Sequence, residues 1–202
     1  MQVDYLDVYM IHWPVPGKHV AAYDVLQDVL TNTRKIKAIG LSNYTAQDYE
    51  QLLDVLKIRP VVNQIEMNPF LWRKNTYDYF MQEQIAIQSY RALRQGKEME
   101  NPVLLALADK YKKTVAQVLG RWCVQRKIIV IAKTVRKARM EENMSLFDFS
   151  LTQEEMSSLD SLTTPESLDE FKALYLNCVV RDTPLEKLPV EEQGLHSSFT
   201  VD

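Results

Sequence analysis

Five short apolar runs, 6–11, 36–41, 60–64, 85–90 and 128–132, alternate with longer stretches in which apolar residues recur at helical spacing. That alternation predicts βαβ units and a parallel sheet, because a parallel strand needs a crossover to reach its neighbour. Within 20–35, Tyr23, Leu26 and Leu30 stand at i, i+3 and i+7, and Arg34-Lys35 close the stretch with the charge that suits a helix C-terminus. Thr45 is placed to cap a helix over 46–56. Asn101-Pro102 sets a capping residue before a proline at the first helical position, predicting a helix to about residue 112. Thr114 with Gln117 and Thr152 with Glu155 match capping boxes, so helices are expected over 115–126 and 153–161. After Leu162 the pattern turns irregular, with Pro165, Pro184 and Pro189, and reads as a tail wrapping the body.

A complete eight-unit barrel takes roughly 250 residues, or about 30 per unit, so five units and a tail fall about three units short. The expected fold class is therefore α/β: a partial (β/α)8 TIM barrel of about five βα units with a C-terminal helix and tail. An open half-barrel exposes two sheet edges and the apolar face of its interior, so self-association through those edges is expected.

The 202 residues, 46% hydrophobic, suffice for one sizeable core and hold no run apolar enough to span a membrane. Met1-Gln2-Val3-Asp4-Tyr5 lacks the segments of a secretory signal, which points to the cytoplasm. The two cysteines, Cys123 and Cys178, fit buried or idle thiols better than a disulfide framework or a metal site. A formal net charge of -3 argues against nucleic-acid binding by the chain as a whole, so any positive site is local.

Candidate chemistry gathers at the strand ends. His12 follows the run Leu6-Asp7-Val8-Tyr9-Met10-Ile11, where a parallel barrel places its reactive groups, and Trp13-Pro14 supplies an aromatic wall and a rigid turn. On position alone, a core histidine is the commoner reading of such a residue. Gly40-Leu41-Ser42-Asn43 and Asn63-Gln64 end two successive strands, where hydroxyl and amide groups serve either as caps or as a grip on a planar carboxamide. The fourth strand ends at Tyr90, a ring able to stack on a flat ligand or simply to pack. Four cations fall within Lys133-Thr134-Val135-Arg136-Lys137-Ala138-Arg139, just after the fifth strand, which describes an anion site better than a solvated face. Arg91, Arg94 and Lys97 form a second, weaker basic cluster that would cover a pyrophosphate.

These segments, from Leu6 to Pro14, Ile39 to Asn43, Val62 to Gln64 and Ile131 to Asn143, resemble in order and interval those of the aldo-keto reductases. That family comprises NADP-dependent (β/α)8 barrels that reduce aldehydes and ketones. The resemblance covers roughly 4–162, with Ala132 where a proline is common and Thr134 where a serine is frequent. It implies that His12 orients the substrate carbonyl and that Trp13 lines its pocket. It further implies that Ser42, Asn43 and Gln64 hold the nicotinamide carboxamide while Tyr90 stacks on the ring. Lys133, Thr134 and Arg139 would recognise the 2′-phosphate of NADP(H), with Glu142 and Asn143 near the adenine. Residues 1–162 would then be an incomplete barrel carrying the NADP-binding half, and 163–202 a tail that wraps it or forms a substrate loop.

The family's proton donor is a tyrosine whose pKa is lowered by a lysine paired with an aspartate, all three ahead of the histidine motif. Here only Met1 to Tyr5 precede that strand, and Tyr5, Tyr9 and Tyr44 are not placed to substitute. The implied function is NADPH-dependent reduction of small-molecule carbonyl compounds in the complete enzyme, with no metal, nucleic acid or membrane involved. The alternative is a catalytically inactive family member that binds nucleotide or a protein partner.

Overall fold

The computed structural model describes residues 2–179 and 202. Strands β1 (Tyr9–Ile11), β2 (Ile39–Ser42), β3 (Val62–Glu66), β4 (Ala86–Tyr90) and β5 (Ile129–Val130) form one sheet in chain order. Met10 lies opposite Gly40, Leu41 opposite Asn63 and Gln88 opposite Ile129, all in parallel register. The crossovers carry α1 (His19–Asn32), α2 (Ala46–Glu50), α3 (Lys74–Gln82) and the pair α4 (Pro102–Tyr111) and α5 (Val115–Gln125). After β5 come α6 (Lys137–Met144), α7 (Gln153–Asp160) and α8 (Pro165–Val179). Gly40 is required where it stands, since a Cβ there would lie 2.6 Å from Met10 Cγ and 2.9 Å from Val62 Cγ1.

The described residues divide into two compact units, one built from 2–65, 73–86, 168–179 and 202, the other from 66–72 and 87–167. In the first, Ile39, Leu41, Tyr44, Tyr49, Leu52, Ile65 and Phe80 are fully buried. The buried face of α1 is His19, Tyr23 and Gln27, not the expected stripe of Tyr23, Leu26 and Leu30. The reason is polar: the Tyr23 hydroxyl donates to the Ile58 carbonyl at 2.7 Å, and Gln27 takes the Lys57 and Ile58 amides at 2.7 and 2.8 Å. Its own amide gives a bond to the Val55 carbonyl at 2.9 Å. Helix α2 opens with the capping box of Thr45 and Asp48 but ends at Glu50, because 51–55 tighten into turns. Two of those turns are closed by bonds from the amides of Leu52 and Val55 to the carbonyls of Tyr49 and Leu52.

In the second unit Met67, Ile87, Leu104, Val118, Leu119, Trp122, Cys123 and Leu159 make the core. The expected caps are present: Asn101 accepts from Val103 and Leu104, and Thr114 and Thr152 each form reciprocal boxes with Gln117 and Glu155. Trp122 donates through Nε1 to Asp160 at 2.8 Å, and Arg126 stacks over the same indole while pairing with Asp160. β5 is shorter than the apolar run that announced it. The stretch after Leu162, expected to be irregular, begins instead with the fifteen-residue α8, while Pro184 and Pro189 lie outside the described residues. Val8 and Tyr9 at β1 and Ile129 and Ile131 at β5, the two ends of the strand order, keep large apolar side chains exposed.

Candidate active site

In the first unit the site residues are joined through the backbone. His12 follows β1 directly and is exposed, with its ring centroid 5.9 Å from that of Trp13. Its carbonyl accepts from Asn43 Nδ2 at 2.9 Å. Asn43 sits just past β2 at φ 62, a left-handed conformation that asparagine tolerates better than most residues. The Ser42 hydroxyl accepts from Asn43 Nδ2 at 3.1 Å and donates to the Gln64 carbonyl at 2.9 Å, which also receives the Asn43 amide at 2.9 Å. The ends of β1 and β2 and the middle of β3 are thus tied together by Ser42 and Asn43.

Gln64 lies two residues short of the end of β3, which runs on to Glu66, so the expected strand-tip position is corrected here. Asn63, on the opposite face of the strand, is fully buried and donates to the Tyr44 carbonyl at 2.9 Å, a structural role. Trp13 is half-buried and meets Tyr175 of α8 edge-on, with centroids 6.0 Å apart and planes at 68°. The Tyr175 hydroxyl donates to the buried Asp48 carboxylate at 2.7 Å. Asp48 shows in the sequence only as the fourth residue of the Thr45 capping box. The trace of Tyr175 is the spacing of Phe171, Tyr175 and Val179, four residues apart, which form the buried side of α8.

In the second unit Tyr90 is the last residue of β4 and half-buried. Lys133 and Thr134 lie in the segment between β5 and α6, where Thr134 Oγ1 accepts from the Arg136 amide at 3.1 Å. Lys133, Arg136 and Arg139 are exposed, and among the described residues none of them forms an ion pair; Lys137 faces Glu141 at 3.8 Å. Glu142 is held on α5 instead of standing open: its carboxylate accepts from Thr114 Oγ1 at 2.6 Å, and Gln117 donates to the carbonyls of Glu142 and Ser145. Asn143 beside it is half-buried. The donors therefore fit a compact dianion: two long cations and a hydroxyl at the start of a helix.

The second basic cluster is different. Arg91 pairs with the buried Glu66 at 3.0 Å, and Arg94 lies between Glu66 and Glu98 at 3.9 and 3.8 Å. These arginines are neutralised within the protein, which corrects their reading as a cover for a pyrophosphate. Burial pushes the Cys123 thiol up to about 12, so it carries no thiolate chemistry. No helix among the described residues is long and apolar enough to cross a membrane.

A five-stranded parallel sheet with helical crossovers, carrying imidazole, hydroxyl, amide and cationic groups in or after its strands, places the chain in the α/β class of barrel-type folds. The profile of the Aldo/keto reductase family matches residues 1–164, and the chain belongs to that family. It is 41% identical over 160 residues to the oxidoreductase YtbE of Bacillus subtilis, covering 79% of this chain and 57% of that protein. It is 40% identical over 166 residues to the glyoxal reductase of the same organism, covering 82% and 60%. Among solved structures, an aldo-keto reductase of Bombyx mori in complex with NADP matches with a TM-score of 0.72 and 32% identity, over 80% of this chain and 58% of that one. The chain thus spans less than two thirds of the length of these relatives.

Proposed function

We propose that the chain is the NADP(H)-binding and carbonyl-orienting part of a reductase acting on aldehydes or ketones. One observation carries this reading: Lys133 and Arg139 flank the start of α6 with no acidic partner among the described residues. Two such cations reward a dianionic phosphate, the group by which NADP differs from NAD. NADP(H), when bound, supplies the hydride for a carbonyl carbon. His12 donates a hydrogen bond that orients the carbonyl oxygen, and Trp13 forms the apolar wall beside it. Ser42, Asn43 and Gln64 engage the carboxamide, Tyr90 stacks on the nicotinamide ring, Thr134 assists at the 2′-phosphate, and Glu142 and Asn143 border the adenine.

In this reading residues 1–162 serve as the barrel portion carrying the NADP-binding half, and 163–202 as a tail that wraps it or forms a substrate loop. The proton reaching the alkoxide comes from a group outside the residues named here, since none of them is a tyrosine paired with a lysine and an aspartate. Calorimetric titration of NADPH and NADH against the unmodified protein and Lys133→Ala tests the reading. The expected result is a preference for NADPH that drops about tenfold or more in the variant, in line with loss of one charge-assisted contact. Equal affinity for the two cofactors would refute it.

A further inference from the structure

We propose that Tyr175 is a positioning residue for the carbonyl pocket, holding the Trp13 indole in place from α8 while anchored by its hydroxyl on Asp48. The inference rests on the reading of His12 and Trp13 as pocket residues. Four side chains stand in sequence: Asp48 accepts from Tyr175 at 2.7 Å, Tyr175 meets Trp13 edge-on at 6.0 Å, and Trp13 lies 5.9 Å from the His12 ring. Both ends of the tether are constrained. Asp48 also accepts from the Thr45 amide at 2.7 Å and the Thr45 hydroxyl at 2.6 Å, so its carboxylate has one orientation. Phe171, one helical turn before Tyr175, lies against the guanidinium of the buried Arg73 at 4.5 Å and fixes the same face of α8.

Burial, with Asp48 alongside, raises the Tyr175 phenol far above its ordinary range, so it remains a donor at every working pH. A half-buried indole with a free flank samples several rotamers, whereas an edge-on ring tied to a buried carboxylate removes that freedom. The width of the pocket at Trp13, and with it the size of carbonyl substituent accepted, is therefore set from α8.

The test labels the full chain with 5-fluorotryptophan, which gives one fluorine resonance each for Trp13, Trp72 and Trp122, the first assigned by its loss in Trp13→Phe. Tyr175→Leu is expected to shift the Trp13 resonance and leave the other two in place. Tyr175→Phe keeps the ring but loses the tether, and is expected to broaden the Trp13 line alone. This second variant decides the matter if the first fails to fold, and an unchanged Trp13 line in it overturns the proposal.

With aldehyde substrates, Tyr175→Phe should raise KM for a bulky aromatic aldehyde about two- to tenfold over that for a small one, the size of one lost side-chain hydrogen bond. Equal KM changes for both would overturn the positioning role. The fluorine signal needs no substrate, so it decides the positioning role whatever the turnover of the unmodified protein, while equal affinity for NADPH and NADH would refute the reductase reading alone.

Discussion

Replacing Asn43 probes the point where β1, β2 and β3 are joined. Its side chain donates to the His12 carbonyl at 2.9 Å, its backbone holds φ 62, and the residue is 1% exposed. Asn43→Ala removes the donor, costing about 1–2 kcal/mol for a partly buried carbonyl left without it. It also forces a left-handed backbone on a residue without the short polar side chain that lets asparagine tolerate it, adding about 1 kcal/mol over asparagine. The sum is roughly 2–3 kcal/mol, or on the order of 5–10 °C in Tm for a chain of this size. Asn43→Gly loses the same bond but not the backbone preference, and gives back only part of that advantage through a looser unfolded chain. It should therefore lie roughly 0.5–1 kcal/mol above the alanine variant. Urea denaturation followed by far-ultraviolet circular dichroism measures all three proteins. An alanine variant as stable as the unmodified protein, or more stable than the glycine variant, would refute the argument.

Burial pushes the Glu155 carboxyl up, but bonds from Lys110, Tyr111 and the Thr152 amide at 2.6, 2.6 and 2.7 Å outweigh it and hold the group below its ordinary range. Its stabilisation is complete above the unfolded pKa of about 4.3 and is lost as pH falls through the lower folded value. Glu155→Gln should flatten that acid limb of a stability titration, and an unaltered limb would contradict this. In Gly120→Ala the new Cβ would lie 2.9 Å from Leu146 Cδ1, so overpacking of about 1–3 kcal/mol should exceed the helix-propensity gain of about 1. Its denaturation midpoint should fall, and adding Leu146→Val should restore part of the loss. A polypeptide of these 202 residues alone should bind a hydrophobic dye through Val3, Tyr9 and Ile129, exposed by 59%, 47% and 47%. It should also reduce a reactive aldehyde about 10²–10⁴-fold more slowly than complete relatives, for want of a positioned acid. Robust turnover abolished by His12→Ala would reverse that expectation, and Tyr5 and Tyr9 would be the first residues to mutate.

Elements announced by local chemistry were legible. Thr114 with Gln117, Thr152 with Glu155 and Asn101 before Pro102 each carry a cap within a few residues, and each helix starts where the cap stands. α3 was not legible, because its first turn has no side-chain cap of its own. The amides of Asn75 and Thr76 are taken by the Asp202 carboxylate, more than a hundred residues away. α8 is not announced by the sequence, because its buried face, Phe171, Tyr175 and Val179, recurs at intervals of four amid polar residues and the helix opens on a proline that also reads as a loop.

Strand count and parallel order followed from the sequence alone, because apolar runs of strand length alternating with capped helical stretches leave few other topologies. Partner choice did not. Which arginines stay available to an anion was decided by Glu66, a buried carboxylate that meets Arg91 only after β3 and the segment following β4 are folded. That Gln27 binds a turn, that Glu142 leans on Thr114 and that Tyr175 faces Trp13 are likewise products of packing. Local motifs act over three or four residues, whereas hydrogen bonds and ring contacts are settled between segments far apart in the chain and set side by side only in the tertiary structure.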